Sequence, residues 1–131
     1  MVNIGTIGVT LISFNDGIIL ESLLKTIRNQ DYDQSKINIF LFDGGSTDDT
    51  KRIALKYDCN FESLPDLKEA QQKRGGYCFS KPKEDFIFFC SADNRFYKKN
   101  MFSLMTENIK RFNAFGAQSL YFDYQKHDPI F

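Results

Sequence analysis

Three short, mostly apolar runs constrain this chain more tightly than any other feature. They are Ile7-Gly8-Val9-Thr10-Leu11-Ile12, the stretch from Ile37 to Phe42, and Phe86-Ile87-Phe88-Phe89-Cys90. Each is too short for a buried helix and rich in β-branched or aromatic residues, so each reads as a strand. Strands that are apolar almost throughout, rather than at every second position, belong in a parallel sheet covered on both faces. Each run also stops at a short polar sequence. These are Ser13-Phe14-Asn15-Asp16, Asp43-Gly44-Gly45-Ser46 and Ser91-Ala92-Asp93-Asn94.

Helical spacing fills the intervals. Leu20, Leu23, Leu24 and Ile27 recur at three and four and predict a helix that stops near Asn29-Gln30-Asp31. Thr50, Ile53, Ala54 and Tyr57 make one face of a second helix, and Asn60 to Ser63 reads as a short third strand. A helix over residues 67–80 is expected, weakened by Gly75-Gly76. Met101, Leu104, Met105, Ile109 and Phe112 share a face of a last helix, and Ala117 to Tyr124 reads as a final strand. This alternation predicts a single α/β domain over residues 1–131, a mainly parallel sheet flanked by helices. Ligands of such sheets bind at the carboxyl ends of the strands, so the three polar sequences should meet in one cleft.

Composition removes several classes of function. The chain has 131 residues with 42% hydrophobic and 15% aromatic content, enough for a real core. Lys plus Arg and Asp plus Glu are both 17, without the basic excess of a nucleic-acid binder. The cysteines at 59, 78 and 90 have no paired or zinc-like spacing and read as reduced thiols of a cytoplasmic protein. The amino end lacks the pattern of a signal peptide, and no run approaches the roughly 20 apolar residues of a transmembrane segment. His127, the one histidine, reads as exposed and inert, so histidine-assisted nucleophilic catalysis has little support.

The polar loops carry the chemistry. Asp43 has no apolar reason to end a strand and reads as an acceptor for a ring N–H or a sugar hydroxyl. Gly44 and Gly45 allow a sharp turn and the approach of a flat ligand. Ser46 or Thr47 reads as a helix cap, with Asp48 and Asp49 favoured by the helix dipole. Asp93, beside Asn94, reads either as a ligand of a hard cation completed by diphosphate oxygens or as the cap of the next turn. Of the basic residues, Lys73 or Arg74 suits a phosphate, whereas Lys81 and Lys83 read as solvated.

The chain resembles the amino-terminal half of inverting family-2 glycosyltransferases of the GT-A, Rossmann-like fold. "IGVTLISFNDGIILESLLKTIRNQ" is similar to that family's first strand, turn and helix. "INIFLFDGGSTDDTKRIALKY" is similar to its Val-Asp-Asp/Gly-Gly-Ser-Thr-Asp segment. "EAQQKRGG" loosely resembles its Ala-Ala-Arg-Asn helix, and "EDFIFFCSADNRFY" the strand into its Asp-x-Asp metal motif. The resemblance runs from about Ile4 to Met105. It implies a nucleotide-sugar donor, usually a UDP-sugar, with the base read by Asp43 and packed by Ser13, Phe14 and Asn15. It implies Arg74 or Lys73 near the diphosphate. It places Ser91, Ala92 and Asp93 on the Asp-x-Asp motif, with Asp93 the carboxylate that holds Mn²⁺ or Mg²⁺.

Two departures qualify it. Ser91 stands where the motif has its first Asp, which lowers metal affinity without nucleotide. The acceptor half, with its general-base carboxylate and Trp-bearing segment, has no counterpart in these residues. The expected function is therefore a glycosyltransferase or its donor-binding part, acting on an unspecified sugar, lipid or protein acceptor. The rival is a non-catalytic binding module that kept the fold. A nucleotidyltransferase is weaker still, because the loop at Ser13 to Gly17 is not a Gly-rich, basic phosphate loop. If the chain ends at Phe131, the sheet edge near Phe122, Tyr124 and Phe131 is uncovered, and a homodimer or aggregation is expected.

Overall fold

The computed structural model describes residues 5–65 and 81–114, and the backbone of 122–123 and 128–129. The elements run β1 (Ile7–Ser13), α1 (Gly17–Arg28), β2 (Ile37–Asp43), α2 (Thr50–Lys56), β3 (Cys59–Ser63), β4 (Phe86–Ser91) and α3 (Met101–Arg111). One 3-10 turn, Gln34–Lys36, precedes β2. A two-residue antiparallel ribbon, β5 (Phe122–Asp123) with β6 (Asp128–Pro129), stands apart from the main sheet. The helix expected over 67–80, Lys73, Arg74, Cys78, His127 and most of the strand expected at 117–124 lie outside the described residues.

The main sheet is wholly parallel with strand order β3-β2-β1-β4. Its register stacks apolar residues across the strands. Val9 lies between Ile39 and Phe88, and Leu11 between Leu41 and Cys90. Together with Ile7, Ile37, Cys59 and Phe86 these residues form one face. Leu20, Leu23, Leu24 and Ile27 of α1, Ile53 and Ala54 of α2, and Phe102 of α3 pack in the same cluster. Each fully buried Leu, Ile or Phe here contributes about 1.5–3 kcal/mol, so this face holds most of the driving force for folding. Arg28 ties the two helices together. Its guanidinium donates to the carbonyls of Tyr57 (2.9 Å) and Asp58 (3.0 Å) just beyond the end of α2.

On the other face Thr10 and Phe42 are buried, but Ile87 and Phe89 are 39% and 47% exposed. The expectation of cover on both faces is met at the centre of the sheet and not along β4. Among the described strands it is an edge of the sheet, and its side chains alternate between buried and exposed.

The inward face of α3 keeps part of the apolar spacing, with Met105 and Ile109 packed against the core, and departs from it at Leu104 and Phe112. Phe102, Ser103 and Thr106 are buried, while Leu104 and Phe112 are 46% and 68% exposed. The cause is a polar anchor. The buried Gln30 side chain accepts the Phe102 N–H (3.0 Å) and donates to the Lys98 carbonyl (2.7 Å). Phe102 is thereby set between the rings of Phe88 and Phe96, with centroids 4.6 and 4.7 Å away. Successive helix positions differ by about 100°, so turning Phe102 inward carries Leu104 outward.

Candidate functional site

β1 and β2 end in register, Ser13 opposite Asp43, with Ser63 of β3 opposite Asp43 on the other side. Ser91 of β4 pairs with Ile12 of β1. The loops that follow β1, β2 and β4 therefore leave one edge of the sheet, as the strand pattern predicts.

The Asp43 carboxylate lies at the centre of the first two loops and is 2% exposed. The Ser13 hydroxyl donates to its Oδ1 at 3.0 Å, and the Ser46 hydroxyl donates to the same oxygen. The N–H groups of Gly45 (3.0 Å) and Ser46 (2.7 Å) donate to Oδ2. An ionised carboxylate has roughly four acceptor positions, and the chain itself supplies a donor to each. Asp43 thus fixes the loop that carries Gly44 and Gly45. The Gly44 N–H donates to the Ser13 carbonyl at 2.8 Å. Gly45 has φ 96°, a backbone region that glycine alone enters without strain. Pro65 lies against it, 3.5 Å from where a Cβ would stand.

A second set of bonds joins the β1–α1 loop to the β2–α2 loop. Asn15, left-handed at φ 52°, donates its N–H to the Ser46 hydroxyl oxygen at 2.7 Å. Its side-chain oxygen accepts the N–H groups of Thr47 (2.8 Å) and Asp48 (3.3 Å). Asp48 reaches back. Its Oδ2 accepts the Gly17 N–H at 3.1 Å, and its Oδ1 accepts the Thr50 N–H at 3.0 Å and the Thr50 hydroxyl. Burial alone would raise the Asp48 pKa, but the bonds from Thr50 and Gly17 outweigh it and hold the pKa below the usual carboxylate value. The capping roles expected of Ser46 and Thr47 are not taken up. The residue ahead of α2 is Asp49, without a side-chain cap, and the Ser46 hydroxyl is spent on Asp43. The sequence alone assigns Asp48 no more than a favourable place in the helix dipole. The signal for more was the Asp-x-Thr spacing of Asp48 and Thr50, an Asx-turn pattern.

After β4 the chain turns at Asp93. Asn94 closes that turn, its side-chain oxygen accepting the Ser91 N–H (2.8 Å) while its own N–H meets the Ser91 carbonyl (3.0 Å). Arg95 donates to the carbonyls of Ala92 (3.1 Å) and Asn94. Asp93 therefore does not cap the turn. Among the described residues its exposed carboxylate has no hydrogen-bond or ion-pair partner. Ser91 is exposed and Ala92 is buried. Lys81 and Lys83 are exposed, as expected for solvated residues, with Lys81 3.9 Å from Glu62. Among the described residues no group of three or more His, Cys, Asp or Glu could hold a metal by itself. One unpartnered carboxylate beside a hydroxyl fits a cation only as the protein's part of a shell that a ligand's oxygens complete.

The model of glycosyl transferase family 2 matches residues 9–128. The chain belongs to that family. Its fold recurs in glycosyltransferases and related proteins of known structure. Staphylococcus aureus TarS, solved as residues 1–349 in complex with UDP, is 19% identical, with a TM-score of 0.72 over 82% of this chain and 33% of that one. The mannosyltransferase PcManGT from Pyrobaculum calidifontis, solved with GDP-Man and Mn²⁺, is 16% identical, with a TM-score of 0.60 over 80% of this chain and 32% of that one. Glucosyl-3-phosphoglycerate synthase from Mycobacterium tuberculosis, solved with Mn²⁺, UDP and glucosyl-3-phosphoglycerate, is 20% identical, with a TM-score of 0.53 over 80% and 39%. No curated protein matches significantly. This family-2 glycosyl transferase domain spans only a third to two fifths of those solved chains. Its described helices include none long and apolar enough to cross a membrane.

Proposed function

We propose that this chain is the donor-binding part of a glycosyltransferase that takes a nucleoside-diphosphate sugar, with UDP as the first candidate. The observation that carries the reading is the convergence of three strand-end loops on one edge, two of them cross-linked and the third bearing an unpartnered carboxylate. Neighbours solved with UDP, UDP-GlcNAc or GDP-Man support the donor class.

In this reading Phe14 and Asn15 wall the base and ribose, and the backbone of Gly44 and Gly45 lies against them. Ser13 and Asp43 act by fixing that backbone, since both Asp43 oxygens are occupied. Lys73 or Arg74 meets the diphosphate. Ser91, Ala92 and Asp93 face the leaving group, and Asp93 is the protein's ligand to Mn²⁺ or Mg²⁺. When bound, the cation neutralises charge on the departing diphosphate. The acceptor hydroxyl attacks the anomeric carbon, the bond to the diphosphate oxygen breaks, and the hydroxyl proton goes to a base that the matched motifs do not include. We place the domain in the cytoplasm, in keeping with the free, buried thiols of Cys59 and Cys90. A homodimer through the sheet edge is part of the proposal, and light scattering at high protein concentration tests it.

Titration calorimetry with UDP, GDP, ADP and inorganic diphosphate tests the donor class. UDP should bind most tightly, and equal, negligible binding of all four would overturn the reading. Ser91, in place of a carboxylate, favours a second reading, the non-catalytic binding module. Nucleotide binding by a protein that carries this domain, without any turnover of nucleotide sugars, would select it.

A further inference from the structure

The cross-linked loops carry a residue that no ligand contact would identify. We propose that Asp48 is a positioning residue for the donor: it locks the β1–α1 loop to the β2–α2 loop before any nucleotide arrives. This rests on the reading of the cleft as a nucleotide site.

Asp48 accepts an N–H from each of two helix starts, Gly17 at the first residue of α1 and Thr50 at the first residue of α2. The first N–H groups of a helix have no partner within it. One carboxylate thus satisfies donors on two separate elements and fixes their spacing. Its own N–H meets the Asn15 side chain, so Asp48 and Asn15 hold each other across the loops. Gly17 fits closely beneath, because a Cβ there would stand 3.1 Å from Asp48 Oδ2 and 3.3 Å from Ile53 Cδ1. The loop that carries Phe14 and Asn15 is consequently held to the loop that carries Gly44 and Gly45 from its far side as well as at Ser13 and Asp43. Binding then orders little further chain, and preorganisation of this kind raises affinity by cutting the cost of ordering.

The test measures UDP affinity in the presence of Mn²⁺ together with amide hydrogen exchange, for the wild-type chain, Asp48→Ala, Asp48→Asn and a control, Asp33→Ala. Asp33 supports only the remote 3-10 turn, through Ser35. Asp48→Ala should speed exchange at Gly17, Thr47 and Thr50 while β1 and β2 amides stay protected. It should weaken UDP binding about tenfold, the scale of one hydrogen bond to a charged group. Asp48→Asn, which keeps one acceptor oxygen, should fall between, and Asp33→Ala should leave the affinity unchanged. If Asp48→Ala binds UDP as the wild type does, or if Asp33→Ala weakens binding equally, the positioning role is wrong. Failure of the wild type to bind any nucleotide would instead overturn the donor reading itself, and this proposal with it.

Discussion

The Ser13 hydroxyl donates to the Asp43 carboxylate at 3.0 Å, at the position where β1 and β2 end side by side. That bond joins two strand ends 30 residues apart in sequence, and the same carboxylate then folds its own loop through Gly45 and Ser46. Stability and ligand binding should both depend on it. Asp43→Ala strands buried donors and should cost about 2–4 kcal/mol of stability, read as a lower urea midpoint. At temperatures where the variant remains folded, UDP affinity should fall as well, because the Gly44-Gly45 loop then has to be ordered on binding. Unchanged stability would mean that the four donors find other partners.

Gly45 offers a test of the loop's backbone alone. An alanine there has room beside Pro65, so any cost comes from its φ of 96°. Gly45→Ala should destabilise by about 1–2 kcal/mol or more, seen as a drop in melting temperature. A melting temperature equal to the wild type would contradict the left-handed turn.

Gln30 predicts where the last helix docks. Gln30→Ala removes both the acceptor for Phe102 and the donor to Lys98. Loss of these buried bonds should cost about 2–3 kcal/mol and increase hydrogen exchange in α3 before the sheet. Uniform loosening of the whole molecule would argue against a local anchor.

Acid should weaken the fold through a small set of carboxylates. Bonds from Lys56 and Tyr57 lower the Glu21 pKa, bonds from Ser35 lower that of Asp33, and bonds from Thr6 lower that of Asp85. At Asp48, burial opposes the shift but the bonds from Thr50 and Gly17 prevail. Each folded value lies below its unfolded value of about 4, so the folded state binds fewer protons. The stabilisation is present above that pH and is lost as pH falls through the folded values. Urea midpoints from pH 6 to pH 2 should decline, and Asp48→Asn should flatten the slope. A flat wild-type profile would contradict these assignments.

The strands were the most legible part of the fold, because a parallel strand buried at its centre leaves an almost continuous apolar record, as in β1 and β2. The end of α1 and the buried face of α2 were legible for the same reason of periodicity. The inward face of α3 was legible at Met105 and Ile109 but not at its start, since Leu104 and Phe102 differ little in apolarity and Gln30, 72 residues away, holds Phe102 inward. That the three polar loops leave one edge of the sheet followed from strand order, but the bonding within and between the loops did not. Asn15, Ser46 and Asp48 each have plausible local partners, and only the fold shows that they bond across 31 to 33 residues. Nor does the sequence show that the Asn94 side chain closes the turn on Ser91 and leaves Asp93 alone.

In the proposed function this edge of the sheet receives a nucleoside diphosphate together with a divalent cation. A single free carboxylate should bind Mn²⁺ poorly until phosphate oxygens complete the shell, so metal and nucleotide must strengthen each other by the same factor. The direct measurement is UDP affinity with and without Mn²⁺ for the wild type, Asp93→Ala and Ser91→Asp. The wild type should bind UDP more tightly with Mn²⁺, Ser91→Asp should enlarge that gain, and Asp93→Ala should abolish it. Equal UDP affinity in all three proteins under both conditions would contradict the assignment of this loop as the cation site.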